Sequence, residues 1–190
     1  MNIVFMGTPE FALPTLKSLH QSSHSILAVI TQPDRPKGRG QKLLVSPIKQ
    51  YALDSDLLIL QPKTVNDPEF IESLKQNRPD IIIVVAFGQI LSDTFLEIPK
   101  QFCINLHSSL LPKYRGAAPI HRAILNGEKK SGVTTIIMDK GMDTGDILLI
   151  QETPIHETDT AQTLHDTLSK MGGALVVETL KSLVENTLLP

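Results

Sequence analysis

The chain has 190 residues, a length that accommodates one domain with a buried core and leaves little for a second. At 41% hydrophobic and 20% charged residues, with 11 Gly and 13 Pro, it is too apolar and too mixed in composition to stay disordered. A net charge of -2, no Trp and only two Tyr exclude the uniformly basic or aromatic surface of a dedicated nucleic-acid binder, although local charge can still matter.

Asn2 to Met6 is a short apolar run closed by Gly7-Thr8-Pro9, and Phe11, Leu13, Leu16 and Leu19 then recur at near-helical spacing. The chain therefore opens strand, tight turn, helix. Ile26 to Thr31 is predicted as a second strand, ending in Pro33-Asp34-Arg35-Pro36 and a polar segment. Ile48 to Leu53 reads as a short helix, Leu57 to Gln61 as a brief strand, and Glu69 to Gln76 as a helix stopped before Arg78-Pro79. Ile81 to Ala86 is apolar at consecutive positions, as a parallel strand covered on both faces should be, and is placed at the sheet centre. Phe102 to Leu106 follows as a strand, then an irregular loop through Gly116 and a helix over about Ala118 to Leu125. Val133 to Met138 and Ile147 to Gln151 are strands joined by a short link of turn formers, which favours antiparallel pairing. Thr160 to Leu183 is a long helix, weakened around Gly172-Gly173. Strands alternating with helices predict an α/β fold, Rossmann-like, with an open, mostly parallel sheet and helices on both faces. Its ligands should bind beyond the carboxyl ends of the strands.

Several function classes drop out at this level. The longest uninterrupted apolar run, Ile81 to Phe87, has seven residues against the roughly 20 needed to cross a bilayer, so no membrane partner is expected. The opening MNIVFMGTPE lacks a basic leader with a long apolar core, and a single cysteine, Cys103, excludes an internal disulfide framework; both predict a cytoplasmic protein. Gly7-Thr8-Pro9-Glu10 stands where a phosphate loop would, yet matches neither G-x-G-x-x-G nor G-x-x-x-x-G-K-[ST]. It reads as a tight turn, and no nicotinamide cofactor is expected. The six histidines are scattered and no H-E-x-x-H occurs, so no metal is expected either.

The strongest constellation is Asn105-Leu106-His107-Ser108-Ser109-Leu110-Leu111-Pro112, at the carboxyl end of a predicted strand. Asn105 and His107 are two apart, so on extended backbone their side chains share a face. Asp143, in another loop at a strand end, could orient the imidazole. An amide donor and a histidine able to become imidazolium suit a reaction that builds negative charge on a carbonyl oxygen, as acyl transfer does. The rival use of the same residues is nucleophilic attack by Ser108 or Ser109 with His107 as base, for which the chain offers no G-x-S-x-G elbow. Cys103 as nucleophile is set aside because it lies within an apolar strand. Arg115 could hold an anion or anchor the Gly116-Ala117-Ala118 turn, while His121 and Arg122 read as surface or packing residues of the next helix.

The run INLHSSLLPKYRGAAPIHRAILNGE, Ile104 to Glu128, together with GVTTIIMDKGMDTGDIL, Gly132 to Leu148, resembles the signature of the folate-dependent formyltransferases. The opening IVFMGTPEFA, the loop TQPDRPKGRGQKLLVSPIK from Thr31 to Lys49, and Gly116-Ala117-Ala118-Pro119-Ile120 resemble the branch of that superfamily that formylates methionyl initiator tRNA. The resemblance covers nearly the whole chain and implies one catalytic domain over residues 1–190. The family carries a further β-barrel domain of the oligonucleotide-binding type after a linker, and Pro190 falls about where that linker would begin.

By the same resemblance, 10-formyltetrahydrofolate is the co-substrate and methionyl initiator tRNA the partner, with the protein a monomer. Asn105, His107 and Asp143 would be catalytic. Ser109, Leu110, Leu111 and Pro112, with Phe87, Gly88, Ile90, Leu91 and Asp139, would contact folate. Arg35, Lys37, Arg39 and Lys42 would contact tRNA phosphates. Two alternatives stay open: the same chemistry on a small amine, glycinamide ribonucleotide or an amino sugar, and a folate-binding fragment without catalysis.

Overall fold

Consecutive residues of the apolar strands serve opposite faces of one sheet. In β1 (Asn2–Gly7), Ile3 and Phe5 enter one core while Val4 and Met6 enter the other. Further along the chain, Ile81, Ile83 and Val85 divide from Ile82 and Val84 in the same way. This double burial is why those segments read as unbroken apolar runs rather than alternating ones. The computed structural model describes residues 1–37 and 42–188.

In chain order β1 is followed by α1 (Leu13–His20), β2 (Ser25–Ile30), the short strands β3 (Arg35–Lys37) and β4 (Lys42–Leu44), α2 (Pro47–Asp54) and β5 (Ile59–Leu60). Then come α3 (Pro68–Gln76), β6 (Ile81–Val85), α4 (Asp93–Leu96), β7 (Phe102–His107) and α5 (Pro119–Leu125). The last elements are β8 (Lys130–Ile137), β9 (Ile147–Pro154) and α6 (Ala161–Val184). The main sheet has seven strands in the order β5-β2-β1-β6-β7-β8-β9. Pairing is parallel from β5 to β7 and antiparallel for β7–β8 and β8–β9. Helices α1, α2, α5 and α6 bury residues in one core, and α3 and α4 in the other. The open, mostly parallel sheet with helices on both faces is therefore as the sequence predicts. Among the described residues no helix is long and apolar enough to cross a membrane.

Two differences have physical causes. β3 and β4 form a separate antiparallel hairpin, Arg35 opposite Leu44 and Lys37 opposite Lys42, within a segment the sequence reading leaves as a polar loop. Its strands are three residues each and carry no apolar alternation to announce them. The second concerns α6, which runs unbroken for 24 residues through Gly172-Gly173. A Cβ on Gly172 would strike the Leu106 side chain, and one on Gly173 would press on Ser18 and the Pro14 carbonyl. These glycines let α6 lie directly on β7 and α1. Their helix-propensity cost of about 1 kcal/mol each is offset by that close packing.

The strand order reverses between β1 and β6, since β2 and β5 lie to one side and β7 to β9 to the other. The crevice beyond the carboxyl ends of β1 and β6 is where an open α/β sheet binds ligands.

Candidate active site

β7 holds the candidate side chains Asn105 and His107 on its last residues. Ile104 and Leu106 point into the core beneath α6, so Asn105 and His107 face the other way. Antiparallel pairing sets Asn105 opposite Ile136 and His107 opposite Thr134, which brings the β8–β9 turn over them. Asp143 descends from that turn. Its Oδ1 accepts from Asn105 Nδ2 at 3.1 Å, and its Oδ2 lies 3.2 Å from His107 Nε2 and accepts from the Gly116 N–H at 2.8 Å. The Asn, His and Asp named from the sequence thus meet at one carboxylate.

The pair is largely shielded, with side-chain exposure of 8% for His107 and 15% for Asp143. Burial alone would push the Asp143 carboxyl up. Donors from His107, Gly116 and Asn105 outweigh it and hold the group below the usual carboxylate range. Left-handed backbone gathers here at non-glycine positions: φ is +54° at Asp143, +59° at Tyr114 and +53° at Ala118. Such conformations cost of order 1 kcal/mol or more and persist where the surroundings over-determine them. The surroundings are visible. Asp139 accepts from the Gly141 N–H at 3.0 Å and from Thr144 Oγ1 at 2.7 Å, tying off the turn that carries Asp143. The loop after β7 is held by Tyr114, whose hydroxyl donates to Glu128 at 2.7 Å, and by Asn126 Nδ2 donating to that hydroxyl at 2.9 Å. Arg115 and His121 are exposed, and Arg122 donates to the Arg115 carbonyl at 3.2 Å while its guanidinium covers the Tyr114 ring.

Ser109 is not arranged as a nucleophile. Ser109 is 1% exposed and its hydroxyl donates to the Lys113 carbonyl at 2.6 Å, so that hydrogen is not offered to His107. Cys103 is also buried, and burial pushes its thiol up to about 12, which keeps it protonated and inert.

Two clefts flank the β6-to-α4 loop. One, of ≈ 370 Å³, is lined by Gly88, Gln89, Ile90, Leu91, Met138, Asp139, Lys140, Gly141, Met142 and Asp143. It gathers four of the residues assigned to folate, Gly88, Ile90, Leu91 and Asp139, against the Asp143 carboxylate. Phe87 lines the other cleft, and Ser109 to Pro112 do not line the first. Leu111 is buried and Leu110 faces a separate hollow beside Lys113 and Glu128. The second cleft, ≈ 950 Å³, opens at the crevice between β1 and β6 and is walled by Thr8, Pro9, Gln32, Asp34, Ser46, Lys63, Phe87 and Gln89 among others. The tight turn Thr8-Pro9 is therefore part of a cleft. Gln32 was not singled out by the sequence, and its position just after β2 was the available signal.

Of the four cations assigned to tRNA, Arg39 lies outside the described residues. Arg35, Lys37 and Lys42 stand on the backbone of the β3–β4 hairpin. The hairpin is rooted by Asp34, which pairs with Lys49 of α2 and accepts from Gln61 Nε2 at 3.0 Å.

The formyl transferase family model matches residues 1–180. Methionyl-tRNA formyltransferase of Clostridium tetani (strain Massachusetts / E88) is 59% identical over 191 aligned positions, covering 100% of this chain and 61% of that protein. The corresponding protein of Caldanaerobacter subterraneus subsp. tengcongensis is 54% identical, with 100% and 62% covered. The chain thus spans 61–62% of the length of these curated relatives. Among solved structures, phosphoribosylglycinamide formyltransferase from Bacillus halodurans superposes with a TM-score of 0.78 at 22% identity, covering 97% of this chain and 95% of that one. An N-formyltransferase from Helicobacter canadensis, solved with folinic acid and dTDP-3-aminofucose, gives 0.74 at 26% identity, covering 98% and 65%.

Proposed function

The chain belongs to the formyl transferase family, and from that premise we propose that it moves the formyl group of 10-formyltetrahydrofolate to the α-amine of methionyl initiator tRNA. The observation that carries the reaction class is the convergence of Asn105, His107 and the Gly116 N–H on the Asp143 carboxylate beside the ≈ 370 Å³ cleft. Identity of 54–59% to methionyl-tRNA formyltransferases supports the acceptor.

Transfer joins the acceptor amine to the formyl carbon and then breaks the bond from that carbon to N10 of the folate. Negative charge grows on the formyl oxygen in between. Asn105 has a second amide hydrogen beyond the one given to Asp143, and it can stabilise that oxygen together with His107. The attacking amine sheds one proton and N10 gains one, so no net proton is lost. His107 exchanges it, with its Nε2 beside the ionised Asp143 carboxylate. Gly88, Ile90 and Leu91 form a mostly apolar wall suited to a flat heterocycle. The ≈ 950 Å³ cleft at the strand-order reversal is the approach for the acceptor, beneath the cationic hairpin.

The test offers purified protein and 10-formyltetrahydrofolate three acceptors in parallel: methionyl initiator tRNA, glycinamide ribonucleotide and a dTDP-amino sugar. The product is followed by mass. Formylation of the tRNA alone is the expected result. Transfer to a small amine reassigns the acceptor, and folate binding without transfer to any of the three removes the catalytic reading.

A further inference from the structure

Gly116 turns both of its backbone groups toward His107 and Asp143. Its N–H donates to Asp143 Oδ2 at 2.8 Å, and its carbonyl lies 3.4 Å from His107 Nε2. A glycine has no side chain to hold that placement, so it must come from the residues around it. Just upstream, Tyr114 stands at φ +59°, a left-handed conformation that a residue with a Cβ adopts only at a cost. Released, its backbone would return to negative φ, and the peptides that follow would turn with it and swing the Gly116 N–H off the carboxylate.

What opposes that release is polar. The Tyr114 hydroxyl donates to Glu128 Oε1 at 2.7 Å and accepts from Asn126 Nδ2 at 2.9 Å, so its hydrogen and a lone pair are both engaged. Bonds from Tyr114 and Lys113 hold the Glu128 carboxyl below the usual carboxylate range, which leaves it an acceptor only. Packing does less here, because a hollow of ≈ 630 Å³ lined by Tyr114, Asn126 and Glu128 among others opens on the same flank. Glu128 is itself fixed: its N–H donates to the Ala123 carbonyl of α5 at 3.1 Å. Arg122 of the same helix adds a second tie to the loop, donating to the Arg115 carbonyl at 3.2 Å.

We propose that Tyr114 is a positioning residue whose hydroxyl, bonded to Glu128, holds the loop after β7 so that the Gly116 N–H stays on Asp143 before substrates arrive. The inference rests on Asp143 serving the formyl transfer proposed above. With Gly116 in place, the carboxylate keeps one oxygen toward Asn105 and the other toward His107. With Gly116 withdrawn it loses a fixed donor and can rotate, and preorganisation of the centre falls. The consequence belongs to turnover rather than binding, since Tyr114 lines neither the ≈ 370 Å³ nor the ≈ 950 Å³ cleft.

Amide proton spectra of the whole chain, with Gly116 assigned, read the bond directly. In the parent the Gly116 N–H should lie downfield and exchange slowly, as a donor to a carboxylate does. Tyr114→Phe, which removes only the hydroxyl, should move that signal upfield, speed its exchange and lower kcat about tenfold, the equivalent of one ordinary hydrogen bond, with KM for folate and tRNA unchanged. Glu128→Ala should do the same, and Glu128→Gln, which keeps an acceptor for the hydroxyl, should restore the parent signal and rate. An unmoved Gly116 signal in Tyr114→Phe overturns the proposal, as does a kcat equal to that of an active parent. Faster exchange spread evenly over the amides of β1 and β6 would reduce Tyr114 to a general support of the fold and overturn it equally. If the Gly116 signal moves as expected but the parent formylates no acceptor, the positioning of Gly116 stands and the formyl-transfer reading fails.

Discussion

The end of β7 and the crevice between β1 and β6 lie at the same edge of the sheet but are built differently. At β7, polar groups are bonded to one another: Asn105, His107, Ser109, Gly116 and Asp143 form one connected set, and the loops supplying it adopt left-handed backbone at Tyr114, Ala118 and Asp143. The crevice is larger and more open, walled by glutamines, prolines and the root of a short cationic hairpin. The contrast separates two tasks. Chemistry needs donors fixed before the substrate arrives. Recognition of a large acceptor needs room and charge, and its energy is realised only on contact. Changes at β7 should therefore act on turnover, and changes at the crevice on substrate affinity.

The largest expected effect breaks the first half of that contrast. His107→Ala and Asp143→Asn should each lower kcat by about a hundred- to a thousandfold, the usual loss on removing one preorganised charge-stabilising partner. Both should leave KM for tRNA little changed. Stopped-assay kinetics with a circular dichroism melt would check this, and a variant that keeps near-normal turnover would show that the trio is not the reacting centre. The parent carries its own control. Since Asp143 is held below the usual carboxylate range, its ionised form persists through neutral pH, and its share of native stability is present above that range and lost as pH falls through its depressed value.

How far the sequence could show this difference varies by region. The sheet was legible because its strands are buried on both faces and so read as apolar runs, and Asn105 and His107 were legible because their spacing of two survives in the strand. Gly116 was not, because it contributes a backbone N–H and its side chain says nothing about that. Ser109 was identifiable as a polar residue in the right loop, but its engagement depends on the Lys113 carbonyl folding back over it. Gly172 reads as a weak point in a helix and proves to be the place where α6 touches Leu106. The hairpin was hidden for the opposite reason. Its pairing of Arg35–Lys37 with Lys42–Leu44 leaves no periodic apolar signature.

A smaller effect belongs to the crevice and sharpens its half of the comparison. The cations proposed to meet tRNA are Arg35, Lys37, Arg39 and Lys42, and contacts of this kind release counterions, which makes binding weaken with salt. Arg39→Ala should raise KM for methionyl initiator tRNA and flatten its dependence on salt by about one phosphate contact, with kcat preserved at saturating tRNA. Formylation kinetics at several salt concentrations would measure the slope. An unchanged slope and KM would remove Arg39 from the tRNA interface.

The smallest expected effect concerns what holds that hairpin in place. Asp34 stands immediately before β3 and ties it to α2 through Lys49 and to the end of β5 through Gln61. The Lys49 and Gln61 donors hold its carboxyl below the usual range, about pH 4. The sign follows from that direction: the tether is intact above the ordinary carboxylate range and is lost as pH falls through the depressed value. Asp34→Asn keeps an acceptor for Gln61 but gives up the ion pair with Lys49. Partly exposed pairs are worth little, so KM for tRNA should rise only about twofold to fivefold, with kcat and folate KM as in the parent. A fall in kcat instead would mean that the crevice and the β7 centre are mechanically joined through the Gln32 amide, which donates to the Phe87 carbonyl at 3.2 Å between the two clefts. The division of labour between the two regions would then have to be redrawn at that bond.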